Sequence, residues 1–152
     1  MTTSRTVLET LIDTVYDSIE GYKRAGEAAR SDAVRSAFAA QAERRQGTLD
    51  RLNQELARQG GEVMTRGTMA GGLHRVWLKV TELFVNDDKA AIDRVEEGED
   101  YLAGKFETAL EETELEPQTR SVIEQALKEI RQGERLADQL SRVAENSFGR
   151  GS

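Results

Sequence analysis

The chain has no cysteine, one proline, one histidine and one tryptophan in 152 residues. Without cysteine there is no disulfide scaffold, no thiol chemistry and no cysteine-ligated zinc, and the composition fits a reducing compartment. Aromatic residues make up only 5% of the chain, so a core drawn from its 38% hydrophobic residues must be mostly aliphatic, which suits helices. No apolar run approaches the roughly 18–20 residues of a membrane span. Residues 1–16 are too polar for a signal peptide, so the expectation is a soluble cytoplasmic protein with no membrane partner. Any metal site must be built from carboxylates.

Basic surface is scarce as well. The 21 Lys and Arg face 28 Asp and Glu, a formal net charge of −7. Residues 87–116 alone hold twelve acids against three bases, which accounts for the whole imbalance. Nucleic acid binding needs clustered Lys and Arg against phosphates, and the sequence offers no such cluster. The acidic stripe reads first as a solvated helix face and second as a docking patch for a basic protein partner.

What is present is helical periodicity. Leu8, Ile12, Val15, Ile19, Tyr22 and Gly26 recur at alternating steps of four and three, one face of a helix over residues 4–29. Thr6 with Glu9 has the spacing of a capping box, and Thr3 and Ser4 are alternative caps. Ser31 and Asp32 signal a second start, and the same steps run through Val34, Phe38, Gln41, Arg45, Thr48 and Leu52 until Gly60-Gly61 ends the run. Residues 59–72 hold five of the thirteen glycines and read as a loop. A short amphipathic helix follows, with Leu73, Val76, Trp77, Val80, Leu83 and Phe84 on one face. A third long helix over about 87–113, capped by Asn86 or Asp87, carries Ile92, Val95, Glu99, Leu102, Phe106 and Ala109. Pro117 opens a fourth, with Val122, Ala126, Glu129, Gly133, Leu136, Leu140 and Val143 on its stripe.

This pattern predicts one all-α domain over residues 1–148, with 149–152 a flexible tail. The long second connection, bearing its short helix, makes the second and third helices parallel, the connectivity of ferritin-like four-helix bundles. Glu43-Arg44-Arg45-Gln46-Gly47 recurs as Glu129-Ile130-Arg131-Gln132-Gly133, which supports two related hairpins. The in-helix glycines cost helix propensity, and close approach between helices would compensate.

Thr68-Met69-Ala70-Gly71-Gly72-Leu73-His74-Arg75-Val76-Trp77, with Ile19-Glu20-Gly21-Tyr22-Lys23 and Gly98-Glu99-Asp100-Tyr101, resembles a bacterial four-helix-bundle family of the ferritin-like superfamily, a domain of unknown function. The resemblance spans nearly the whole chain and implies the fold. It brings no established activity; stress-related interaction or assembly is the role it permits.

Ferritin-like di-iron proteins place an inward Glu on two helices and Glu-x-x-His on the other two. No helix here has that string, because the only histidine, His74, falls on the crossover beside Trp77, where it reads as a packed or capping residue. The nearest strings are Glu43-x-x-Gln46 and Glu129-x-x-Gln132. Polar residues do occupy core slots: Gln41, Arg45, Thr48, Glu99 and Glu129. Arg45, Glu99 and Glu129 lie near the middles of their helices, so the expected arrangement is a buried triad with Arg45 between the two carboxylates, supported by Tyr16, Tyr22, Gln41 and Thr48. Two alternatives stand beside it. Arg45 could snorkel outward and leave the polar residues unconnected. Glu99 and Glu129, with Glu20 or Glu43, could instead hold iron or manganese.

No phosphate loop and no nucleophile beside a histidine is recognisable, so no catalytic residue is assigned. The expectation is a non-catalytic helical-bundle protein with no cofactor and a metal-free ionic core. Its rivals are a di-iron or other divalent-metal oxidase or iron-binding protein, and an adaptor using the acidic third helix. Homodimerisation through an exposed helix face is compatible with all three.

Overall fold

The computed structural model describes residues 2–67 and 88–150. Among them are four helices and no strand: α1 (Thr2–Ala28), α2 (Asp32–Arg58), α3 (Asp88–Leu110) and α4 (Pro117–Arg150). The short helix expected at 73–84, with His74 and Trp77, and the caps Asn86 and Asp87 lie outside the described residues. Helical backbone reaches Arg150, two residues into the stretch read as a tail. None of the described helices is long and apolar enough to cross a membrane.

The ends of the helices follow local chemistry. α1 begins at Thr2, so the Thr6–Glu9 pair lies inside the helix and caps nothing. Ser31 caps α2, its side chain accepting from the Val34 N–H at 3.4 Å. α2 stops where Gly60 takes φ 84°, a conformation that a β-carbon disfavours, and the Gly60 and Gly61 N–H groups return to the Ala57 and Leu56 carbonyls. Pro117 opens α4, where its missing N–H costs no hydrogen bond.

α1 packs on α2 and α3, and α4 packs on the same two helices, so α2 and α3 face each other across the bundle diagonal. Contacts at the ends give the directions. Thr119, at the start of α4, bonds Glu55, near the end of α2. Ser141, late in α4, bonds Asp93, early in α3. Asp88 reaches the α1–α2 turn, accepting the N–H groups of Arg30 and Ser31 at 3.1 and 3.0 Å. Thus α2 and α3 start at the same end and run parallel.

The stripes of α1, α2 and α3 are buried largely as their spacing predicts, with Leu8, Ile12, Val15, Phe38, Leu52, Ile92, Leu102 and Phe106 at 0–1% exposure. α4 differs. Its buried face is Thr119, Ile123, Ala126, Ile130, Gly133 and Ala137, while Val143 is 62% exposed. Two apolar stripes overlap on this helix, and it turns to bury Ile123 and Ile130. That rotation moves Glu129 from the centre to the flank.

Candidate functional site

At the centre lies an ion pair that α2 and α3 form across the diagonal. Arg45 donates from Nη1 and Nη2 to the two Glu99 oxygens at 2.8 and 2.6 Å, and from Nη1 to Ser18 Oγ of α1 at 2.8 Å. The two side chains are 1% and 0% exposed. Only a guanidinium offers this fork at this reach, so lysine would not substitute. Burial alone would push the Arg45 pKa down, but the Glu99 charge and hydrogen bonds outweigh it and hold the group charged. Tyr22 sits beneath with its ring centroid 5.6 Å from the guanidinium carbon and edge-on to Phe38. Burial, then the neighbouring Glu99 carboxylate, drive the Tyr22 hydroxyl well above the ordinary tyrosine range, so it stays protonated.

α4 closes this site with an absence. A β-carbon on Gly133 would overlap the Glu99 carboxylate and stand 2.7 Å from Gln41 Nε2 and 2.8 Å from Arg45 Nη2. Gly133 is therefore the wall that lets the pair fit. Its counterpart in the sequence echo, Gly47, has no such role: a β-carbon there would meet only Arg51 Nη1, at 3.7 Å.

The expected triad is corrected here. Glu129 makes no hydrogen bond to Arg45; Arg51 and Thr48 take it instead, the hydroxyl at 3.3–3.4 Å. The rotation of α4 is the reason. Glu129 is 19% exposed, where an arginine from the outer face of α2 can reach it. Gln41 is buried and accepts from Arg44. Tyr16 also lies outside the network: its hydroxyl donates to the Met64 carbonyl at 2.8 Å, pinning the segment after α2 together with Asn53.

The carboxylates proposed for iron or manganese do not converge. Glu20 is exposed and bonds Arg24, and Glu43 is exposed. Glu99 is filled by Arg45 and Glu129 by Arg51. No group of three or more His, Asp or Glu is placed to hold a metal among the described residues. Among the described residues the donor set does not fit a di-iron centre.

A second buried carboxylate is not among the sequence candidates. Glu55 is 2% exposed, held by Arg58 through two bonds of 2.7 Å, by Thr119 at 2.6 Å and by Gln59 at 3.3 Å. Burial would raise its pKa, but these hydrogen bonds prevail and lower it. Continuing the α2 steps from Thr48 and Leu52 reaches Glu55, so the signal was in the spacing. Ser18 likewise continues Leu11 and Val15 toward Tyr22.

The family model of a domain of unknown function (DUF2383) matches residues 4–112, and the chain belongs to that family. The match covers α1 from Ser4 on and all of α2 and α3, hence both members of the central pair; Glu129 and Gly133 lie beyond it. No curated protein and no solved structure matches the chain.

Proposed function

We propose that this chain is a non-catalytic, ferritin-like bundle in which an arginine–glutamate pair stands where related bundles hold metal. Its work is done at its surface, by interaction or assembly in the cytoplasm, of the stress-related kind that the resemblance permits. The carrying observation is Arg45, 1% exposed, with its fork on Glu99. The parallel course of α2 and α3 supports the ferritin-like reading. A cation placed on Glu99 would have to displace that guanidinium and leave its buried charge unpaired, which is costly.

The test is metal content. The untagged protein is incubated with Fe(II) or Mn(II), desalted and assayed by elemental analysis. The expected result is substoichiometric metal that Glu99→Gln leaves unchanged. Stoichiometric metal lost on Glu99→Gln or Glu129→Gln would overturn the proposal and make the chain a di-iron or manganese protein.

A further inference from the structure

The outer edge where α2 meets α4 sets arginines beside carboxylates: its clefts are lined by Arg44, Arg51 and Arg58 together with Glu43, Glu55 and Glu129. Arg44, Arg51 and Arg58 stand seven residues apart on α2, and Gln118, Gln125 and Gln132 stand seven apart on α4. Because the helices are antiparallel the two ladders face each other. They line two clefts of about 520 and 400 Å³ that share Arg51. Seven residues is two turns, about 10 Å along a helix, so each ladder keeps to one face.

These guanidiniums are prepared for a partner. Arg51 and Arg58 are 51% and 40% exposed, and each rests on a carboxylate below it, Glu129 at 19% and Glu55 at 2%. The buried acid fixes the rotamer in advance, which reduces the entropy lost on binding. None of the three arginines uses more than two of its three nitrogens in its intramolecular bonds. The glutamine amides add neutral donors and acceptors along the opposite wall.

A matching surface exists on the same chain. α3 carries Asp93, Asp100 and Glu107 at the same seven-residue spacing. Asp100 is exposed, Glu107 is 53% exposed with one bond from Arg131, Asp93 is held by Lys89 and Ser141, and Tyr101 beside them is 37% exposed. Between them is Gly104, a helix-weakening residue whose β-carbon would meet nothing within 4 Å. Its own chain does not require it, whereas a helix or side chain laid across this face would. Asp100 also faces Glu134 of α4, an acid and not a cation. Since α3 is diagonal to α2, one molecule cannot bring the two surfaces together.

We propose that the α2–α4 furrow receives the acidic face of α3 from a second copy of this chain, so that copies join head to tail through guanidinium–carboxylate pairs. The contact is heterologous, with different patches on the two copies. It rests on the reading of this protein as an assembly component and names the partner.

The test is sedimentation velocity of the full chain over a concentration series at low and high salt. Two variants are compared with the wild type, both checked by circular dichroism: Arg44→Glu/Arg51→Gln on the furrow and Asp100→Lys/Glu107→Lys on α3. Association at low salt that high salt dissolves is expected, weakened about tenfold or more in each variant. Mixing the two variants restores a one-to-one complex, because one keeps an intact α3 face and the other an intact furrow. A wild type that stays monomeric at low salt, association that either variant leaves unchanged, or variants that fail to complement would each overturn the proposal. Metal retained by Glu99 would defeat the preceding reading without touching this result, and a monomer without metal would do the reverse.

Discussion

Glu99 and Asp100 are neighbours in sequence and opposites in environment. Glu99 points into the bundle and is closed in by Arg45 and the bare backbone of Gly133, with opposite charge supplied at 2.6–2.8 Å. Asp100 lies on the α3–α4 seam, where its hydrogen-bonding neighbour is another acid, Glu134. Glu96 stands on the same seam; burial first, then Asp138, Asp100 and Asp93, raise its pKa. The difference teaches what decides the fate of an acid in this fold. A long cation crossing the diagonal can make a fully buried carboxylate a structural element. On the seam the nearby Arg131 spends its bond on Glu107, and burial beside Asp100 raises the Glu134 pKa instead.

The largest effect separating the two regions should come from Arg45→Met. It leaves Glu99 buried without a cation, at an expected cost of about 3–5 kcal/mol of unfolding free energy. Denaturant melts would show it as a lower midpoint at unchanged slope. Adding Glu99→Gln should recover part of the loss, because a neutral amide tolerates the same site. A further Glu129→Gln should change little, since Arg51 and Thr48 hold that carboxylate on the flank. A loss below about 1 kcal/mol for Arg45→Met would put the central pair in the same class as a surface ion pair and break the comparison.

Gly133→Ala should follow in size. Alanine is the better helix former by about 1 kcal/mol, yet its methyl would overlap the Glu99 carboxylate, and crowding of this kind costs about 1–3 kcal/mol. A net loss is expected, with coupling to Arg45→Met in a double-mutant cycle because both substitutions act on one cluster. Stabilisation by Gly133→Ala would mean that the wall is loose and the pair is not held by shape.

Much of this was legible in the sequence, and the misses have one main cause. Three helices bury the stripes their four-three steps describe, so Arg45 and Glu99 could be assigned to the interior from spacing alone. α4 could not be phased that way, because Val122, Leu136 and Leu140 mark one stripe while Ile123, Leu127 and Ile130 mark another about one residue away. Burial of Ile123 and Ile130 chose between them, and Glu129 left the expected triad as a result. Tyr16 shows a different limit: its partner is the Met64 carbonyl in the segment after α2, a tertiary contact that no helical period encodes. Gly133 was visible as an in-helix glycine, but what its missing side chain accommodates depends on two other helices.

The smallest effect concerns the seam and is a matter of pH. Burial first, then Asp100 and Glu99, push the Glu134 carboxyl up to about 8, above its ordinary value of 4.5. A group whose folded pKa is raised stabilises the fold through its bound proton. The contribution is complete below the ordinary value and is lost as pH rises through 8. Solvent screening at this partly exposed site leaves about 1 kcal/mol between pH 5 and pH 9. Glu55 works in the other direction: its lowered pKa adds stability above the ordinary carboxyl range that disappears as acid protonates it. Urea melts across pH should therefore pass through a maximum between the two titrations. Glu134→Gln should flatten the alkaline limb and leave the acid limb in place, and Asp100→Asn should flatten it less, because burial is the larger cause. An alkaline limb unchanged in Glu134→Gln would mean that the Glu134 pKa is not raised on the seam, and that the contrast between Glu99 and Asp100 lies only in exposure.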